Sequence, residues 1–515
     1  MKLPIGIQDF EKIRNDGYIY IDKTEQIYRL VSEGAYYFLS RPRRFGKSLL
    51  ISTLKSLFLG KRELFHGLAI DRKEDWEWAV HPVLHLDLNT NKYDKAEVLE
   101  QKLNKSMEDW EQIYNCSRSD LPIGMRFENV IEQAYKQTGQ RVVILVDEYD
   151  KPMLQAIGNK ELQEEFRSTL KGFYGTLKSM DGCIRFAMLT GVTKFGKVSV
   201  FSDLNNLMDI SLDYEYYDIC GITHEELLSV FSERIDIMAE RNRITREDCI
   251  AQFRNLYDGY HFEENAPGIY NPFSLLNAFA RYKFGSYWFE TGTPTYLVTL
   301  LREHCYDLEE MARSEVTADV LNSIDAESKD PIPVIYQSGY LTIKGYDKEF
   351  QLYRLGFPNK EVEEGFVKYL APFYLDNRER RSVFDVKSFT KDVREGKPKQ
   401  FLDRLKSLFA SAPYDSISGD RENHFQNMTW VVFKMMGFYS HAEYHTSDGR
   451  IDLLVETPLY RYIMEFKLDG TAEEALRQIK DKDYPLQFKL DDKKTYLIGM
   501  NFSRDTRTIE RYIIE

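Results

Sequence analysis

Glu465 and Lys467 stand two apart in Met464-Glu-Phe-Lys467, thirteen residues after the Asp452 of Gly449-Arg-Ile-Asp452. Two carboxylates offer hard oxygen ligands to a divalent cation such as Mg²⁺ or Mn²⁺. A neighbouring ammonium group can stabilise phosphate charge and orient an activated water. That chemistry suits cutting a phosphodiester in DNA or RNA. Far upstream, Ser40-Arg-Pro-Arg-Arg-Phe-Gly-Lys-Ser48 could cradle a nucleotide such as ATP. Its backbone from Arg43 through Arg44, Phe45 and Gly46 to Leu49 can surround an anion at a helix start. Lys47 can reach the outer phosphates, and the Ser48 hydroxyl can ligate Mg²⁺. Taken alone, each pattern has a plain reading: a cross-strand ion pair for Glu-x-Lys, a helix start after a turn for Gly-Lys-Ser.

The elements around the upstream cluster favour the chemical reading. Ala35-Tyr-Tyr-Phe-Leu39 is short, aromatic and β-prone, as a buried parallel strand should be. The spacing predicts a helix over Lys47 to Leu59, with Leu50, Leu54, Leu57 and Phe58 on one stripe and Gly60 as its stop. Arg41 stands where the usual phosphate-loop pattern has its first glycine, and Pro42, Arg43 and Arg44 make the loop stiff and cationic. Arg141 to Asp150 is an apolar strand ending in carboxylates, at the strand edge where parallel sheets bind ligands. Asp147 would meet Mg²⁺ through water, and Glu148 would orient an attacking water. Pro82 to Leu88 and Cys183 to Gly191 supply further strands of a doubly wound α/β core. Thr190 and Thr193, past the last of these, are either γ-phosphate sensors or members of a plain Thr/Gly turn.

Around the downstream cluster, Arg421 to Met436 reads as a helix. Strand-like runs follow at His441 to Thr446, Arg450 to Glu456 and Tyr462 to Leu468, then a helix from Thr471 to Ile479 and a strand from Lys494 to Met500. Thr457-Pro-Leu459 is the turn that lets antiparallel strands bring Asp452 and Glu465 to one edge. Side chains alternate along a strand, so Glu465 and Lys467 share a face while Phe466 turns to the core.

Composition bounds the rest. At 515 residues the chain exceeds one core, and 43% hydrophobic with 29% charged residues excludes a disordered protein. A net charge of −13 argues against a generally basic nucleic-acid coat. Arg378 to Lys406, with ten basic against five acidic residues, is either a solvated helix face or a local nucleic-acid path. Five scattered cysteines imply neither a disulfide framework nor a zinc cluster, and His66, His81, His85, His224, His261 and His304 form no metal-spaced pair. The opening residues carry no apolar signal core, and no apolar run is long enough to span a membrane, so a cytoplasmic location is expected. Ile222 to Phe279 reads as helices broken at Asp258 to Phe262. A hairpin is expected within Gly339 to Phe357.

Several longer motifs carry a resemblance. Tyr20-Ile-Asp-Lys-Thr24, Arg41-Pro-Arg-Arg-Phe-Gly-Lys-Ser-Leu49, Val146-Asp-Glu-Tyr-Asp-Lys-Pro152, Leu189 to Phe195, Phe201 to Leu207 and Tyr270-Asn-Pro-Phe273 are similar to the bacterial AAA-ATPase-like family. Its members join a P-loop ATPase module to a C-terminal PD-(D/E)XK nuclease-like domain. The resemblance makes Arg41 the family's own loop variant and puts Tyr20 to Thr24 near the nucleotide base. Pro272 would lie against the nucleotide, or simply start a helix after Asn271. The α-β-β-β-α-β order resembles the nuclease core. Glu422 resembles its extra acidic residue and Gln478 the Gln-x-x-x-Tyr feature, although Tyr484 comes six residues later rather than four. The implied architecture is α/β and multidomain: a doubly wound parallel-sheet P-loop domain (1–215), a helical or winged-helix lid (216–290), a mixed connecting region (291–405) and a restriction-endonuclease-like α/β domain (406–515). The expected function is an ATP-binding and hydrolysing module that controls a metal-dependent nuclease. The alternative is a nucleotide-dependent switch that binds nucleic acid or protein without cutting. Assembly into a homo-oligomer, with an arginine lent by a neighbour, is compatible with either.

Overall fold

A computed structural model describes residues 2–194, 201, 204, 206–288, 311, 314–322, 330–374, 386–410, 432, 439–446, 449–488, 492–503 and 508–515. The chain forms two compact units, Met1–Thr293 with Ser314–Val362, and Pro294–Arg313 with Glu363–Glu515. The segment 291–405 is thus shared between them.

The first unit is built on a parallel sheet of β1 (Tyr36–Ser40), β2 (Val83–Asp87), β3 (Val142–Asp147), β4 (Ile184–Gly191) and β5 (Met208–Asp209), in the order β2-β3-β4-β1-β5. Both β1 and β3 are buried along their whole length, which is why they read as unbroken apolar runs rather than alternating ones. β4 lies between them, so the phosphate-loop strand and the acidic strand are not neighbours. The helix Lys47–Phe58 follows β1 and buries Leu50, Ile51, Leu54, Leu57 and Phe58. Gly60, the expected stop, adopts φ 69°. Helices Ala96–Ile113 and Ile123–Thr138 connect β2 to β3 and are joined by a buried ion pair, Arg126 Nε to Glu111 Oε1 at 2.8 Å.

The middle of this unit is helical, as expected: His224–Val230, Ser232–Asn242, Arg246–Tyr257 and Pro272–Arg281. The chain breaks between the last two, where Tyr260 bridges Ile269 and Ile222 bridges Tyr270. Phe231, Phe253, Tyr257 and Phe279 form the core of these helices. A small antiparallel sheet of β6 (Glu315–Val316), β7 (Thr342–Asp347) and β8 (Leu352–Gly356) contains the expected hairpin.

In the second unit, β9 (Tyr439–Thr446), β10 (Gly449–Glu456), β11 (Tyr460–Leu468), β12 (Lys494–Ser503) and β13 (Thr508–Ile514) form one mixed sheet in the order β13-β12-β11-β10-β9. Only β11 and β12 run parallel, joined through the helix Ala472–Asp481. That helix starts on a capping box, with Thr471 and Glu474 satisfying each other's backbone N–H groups. It covers one sheet face, where Leu454, Ile463, Leu476, Ile479 and Tyr484 make a core. Residues on the opposite face meet the helices Val386–Arg394 and Pro398–Ala410: Phe401 packs edge-on against Tyr462 at 5.4 Å, and the Tyr462 hydroxyl donates to the Val393 carbonyl. Within the described part of the basic run, these helices bury Phe389, Val393, Phe401, Leu402 and Leu405 and leave Lys391 and Lys399 to solvent.

Candidate functional site

The loop after β1 opens into a cavity of about 410 Å³. Arg43, Arg44, Phe45, Gly46, Lys47, Ser48 and Leu49 all line it, with Glu148 facing them from the end of β3. Gly46 caps the helix Lys47–Phe58 at φ 101°, a conformation that favours glycine and that turns the loop back onto the helix start. Arg44 at φ 69° and Glu148 at φ 56° also take left-handed conformations, at a cost of roughly 1–2 kcal/mol each for residues bearing a Cβ. Such strain is concentrated where backbone has been shaped around a ligand.

Lys47 is 4% exposed, and its ammonium group donates to the carbonyls of Arg41 (3.1 Å) and Pro42 (3.4 Å) while pairing with Glu148 Oε1 at 3.4 Å. The Ser48 hydroxyl acts on the Asp147 carboxyl, so the two side chains expected at Mg²⁺ lie near one another. Burial raises the Asp147 carboxyl above its usual range, while the bonds from Ser48 and Thr190 act in the opposite sense. A hydroxyl beside a buried carboxylate is a donor set that fits a hard, oxygen-seeking cation.

Arg41 turns away from this cradle. It is 1% exposed, its guanidinium donates to the carbonyls of Ser40, Ser211 and Tyr216, and it lies 4.0 Å from the centre of the Phe262 ring. Desolvation lowers its pKa to about 10. The residue in place of the first loop glycine is therefore a strut that ties the loop to the chain after β5. Of the loop's own cations, Arg43, Arg44 and Lys47 line the cavity. The loop is braced from outside as well. The Trp288 indole donates to the Arg43 carbonyl at 3.0 Å. Gly339, at φ 91°, leaves no room for a Cβ, which would stand 2.5 Å from Pro42.

Thr190 and Thr193 are fully buried and do not line the cavity. Thr190 Oγ1 donates to Asp147 Oδ1 at 2.6 Å, and Thr193 Oγ1 to Asp150 Oδ2 at 2.7 Å. Both expected sensors thus hold carboxylates in place, because β4 lies directly beside β3 and brings each hydroxyl against it. Gly191 between them admits no side chain, since a Cβ would stand 2.7 Å from Asp150 Oδ1.

Tyr20, Ile21 and Lys23 line the cavity, as do Pro272 and Phe273. Pro272 is also the first residue of its helix after the Asn271 cap, as its plainer reading expected. Lys23, within the stretch expected near the nucleotide base, bonds Glu226 Oε1 at 2.7 Å, and the lining also includes Asn89 just past β2 and Lys151. The last two follow the C-terminal ends of parallel strands, a position that could have drawn attention to them.

In the second unit, the antiparallel ladder from Glu456↔Arg461 to Leu453↔Met464 sets Asp452 opposite Glu465. Residues directly opposite in such a ladder share a face. One step beyond, Asp452 Oδ2 accepts the Phe466 backbone N–H at 2.8 Å. Lys467 Nζ donates to Gln478 Oε1 at 2.6 Å and reaches Glu465 Oε1 at 3.3 Å, while Gln478 Nε2 donates to the same Glu465 oxygen. Asp452, Glu465, Lys467 and Gln478 thus gather at one edge. Glu465 is 1% exposed, and its carboxyl is raised to about 7, first by burial and then by the Asp452 charge. Its Oε2 atom is buried with no hydrogen-bond partner. A repelled carboxylate pair with one oxygen unsatisfied fits a divalent cation. Among the described residues no three His, Cys, Asp or Glu side chains form a metal-sized cluster. Glu422 lies outside the described residues. Tyr484 is buried in the core beneath the helix Ala472–Asp481, so its six-residue offset from Gln478 reflects a packing role. Among the described residues no helix is long and apolar enough to cross a membrane, and Cys116, Cys183, Cys220 and Cys249 are free thiols.

These sites define a P-loop α/β protein joined to a mixed-sheet domain of nuclease type. Comparison with known proteins agrees. Residues 4–201 match the family described as Predicted AAA-ATPase, and residues 420–512 match the PD-(D/E)XK nuclease superfamily. A protein of Azotobacter chroococcum mcd 1, "Uncharacterized protein in vnfD 5'region", is 37% identical over 524 residues, covering 100% of this chain and 99% of that one. The chain belongs to this AAA-ATPase-like family, with a C-terminal PD-(D/E)XK nuclease superfamily domain.

Proposed function

We propose that the protein is an ATP-hydrolysing P-loop protein whose nucleotide state controls a metal-dependent nuclease in the same chain. ATP occupies the cavity, its phosphates against Lys47, Arg43, Arg44 and the backbone from Phe45 to Leu49. Ser48 and Asp147 would hold Mg²⁺, which supplies charge neutralisation on the phosphates. Glu148 leaves Lys47 when phosphate arrives and orients the water. In the second unit, Asp452 and Glu465 would hold Mg²⁺ or Mn²⁺, which supplies an activated water at neutral pH. Lys467, positioned by Gln478, faces the scissile phosphate of DNA or RNA and steadies its charge. Glu422 is the remaining candidate for that site.

The observation that carries the nuclease reading is the Glu465 carboxyl, held against Asp452 with Oε2 unsatisfied while Lys467 and Gln478 fix the other oxygen. Purified protein incubated with plasmid and single-stranded substrates, with Mg²⁺ or Mn²⁺ and ATP, is expected to cut. Asp452→Asn is expected not to. Equal cutting by Asp452→Asn ends the assignment.

A second reading takes the same edge, where Lys467 and Gln478 hold Glu465, as a contact surface rather than a cutting centre. In that case the second unit binds nucleic acid or protein without cleavage, as a nucleotide-dependent switch. Metal-independent, ATP-sensitive retention of a labelled duplex with no product would support it.

A further inference from the structure

Five cationic side chains line the nucleotide cavity: Lys23, Arg43, Arg44, Lys47 and Lys151. They are not equivalent. Lys23 is buried and bonded to both oxygens of Glu226 at 2.7 and 2.8 Å. Lys47 is paired with Glu148. The Arg44 guanidinium lies over the Phe273 ring, 5.0 Å from its centre, on the side of the helix Pro272–Arg281. Lys151 comes from the chain just past the acidic strand. It begins the helix Lys151–Gln155, three residues after Glu148, and its backbone N–H donates to the Glu148 carbonyl at 3.0 Å.

The Lys151 ammonium touches a neutral partner, Asn89 Oδ1 at 3.4 Å, and among the described residues it has no carboxylate within ion-pair distance. The Asn89 backbone N–H donates to Asp87 Oδ1 at 2.8 Å, which anchors that turn, and Asp87 pairs in register with Asp147. An amide thus contacts a cation three residues past Glu148, at the carboxyl edge of the sheet and in the lining of the same cavity.

We propose that Lys151 is a catalytic residue that contacts the γ-phosphate of bound ATP and neutralises its charge from within the same chain, so the site borrows no cation from a neighbouring copy. This rests on the nucleotide-hydrolysing reading above. In the step it serves, the water oxygen forms a bond to the γ-phosphorus as the bond to the β,γ-bridging oxygen breaks. ADP leaves with that electron pair, a water proton passes by Glu148 to solvent, and inorganic phosphate is the other product. Charge grows on the bridging and equatorial oxygens, where a nearby cation lowers the barrier most.

The test uses the full chain with ATP and Mg²⁺, the fluorescent analogue mant-ADP as binding probe, and the variants Lys151→Ala, Lys151→Arg and Lys47→Ala. Lys151→Ala should lower kcat by about 10²–10³-fold, as removal of a transition-state charge donor does. Mant-ADP, which lacks the γ-phosphate, should bind it within about twofold of wild type, and Lys151→Arg should recover part of the rate. Wild-type activity per molecule should stay constant over about a hundredfold dilution, and mixing Lys151→Ala with Lys47→Ala should restore nothing. A kcat for Lys151→Ala within about threefold of wild type, or activity recovered on mixing, would overturn the proposal. Failure of wild type to bind mant-ADP would instead bring down the nucleotide reading beneath it.

Discussion

The nucleotide cavity and the edge of the C-terminal sheet are charged in opposite senses. Around the cavity, Arg43, Arg44, Lys47 and Lys151 face a single lining carboxylate, Glu148. At the sheet edge, Asp452 and Glu465 face the ammonium of Lys467. The first arrangement has surplus positive charge and is completed by an anion. The second has surplus negative charge and is completed by a cation. Each is held by neutral groups that fix geometry without cancelling the surplus, Asn89 at the cavity and Gln478 at the edge. Under the proposed function, phosphate would be gripped directly in the first place and through a metal in the second.

The largest effect is expected from removing the Lys467 ammonium at the carboxylate edge. Lys467→Ala should lower nucleic-acid cutting by about 10³-fold while leaving ATP hydrolysis intact, measured on plasmid substrate and by phosphate release. Comparable loss of both activities would mean that the sites are not separable. Next comes Arg41, a buried cation outside the cradle. Arg41→Ala should cost about 3 kcal/mol of stability, because three carbonyls lose a charged donor. A denaturant melt that shows no loss would contradict its role as a strut.

Glu465 sharpens the comparison through pH. Its folded carboxyl titrates at about 7 against an ordinary 4.5, so the folded chain keeps a proton that the unfolded chain has released between those values. The resulting stabilisation is complete below pH 4.5 and is lost as pH rises through 7, roughly 3 kcal/mol in all. Glu465→Gln should abolish that slope in melts of the full chain. Mg²⁺ should stabilise wild type increasingly above pH 7, as proton and cation compete for one carboxylate. The smallest expected effect is at the opposite site: Lys47→Ala should weaken ATP binding by about 30-fold, the worth of a charge-assisted phosphate contact. Unchanged affinity would remove Lys47 from the cradle.

What the sequence showed, and what it hid, follows contact range. Strand β1, the loop to Ser48 and the helix Lys47–Phe58 are contiguous, so local pattern sufficed to place them. Asp452 and Glu465 were legible because one tight turn, Thr457-Pro-Leu459, separates their strands. The inward turn of Arg41 was not, since its acceptors Ser211 and Tyr216 lie about 170 residues away and nothing near position 41 announces them. The contacts of Thr190 and Thr193 were hidden for a related reason. Their partners Asp147 and Asp150 become neighbours only through the insertion of β4 beside β3. Strand β13 escaped notice because its residues from Tyr512 to Ile514 are half-exposed and do not alternate cleanly. The place of Ser314–Val362 in the first unit depends on contacts such as Gly339 against Pro42 that cross most of that unit's length.

The indole of Trp288, hydrogen-bonded to the carbonyl of Arg43, gives the molecule an intrinsic optical probe. Tryptophan emission responds to the polarity and rigidity of its surroundings, and this ring is 6% exposed and tethered to the backbone that would wrap the triphosphate. A Trp288→Phe variant subtracted from wild type would isolate its signal from the other four tryptophans. Stopped-flow fluorescence could then time loop movement against product release without any attached dye.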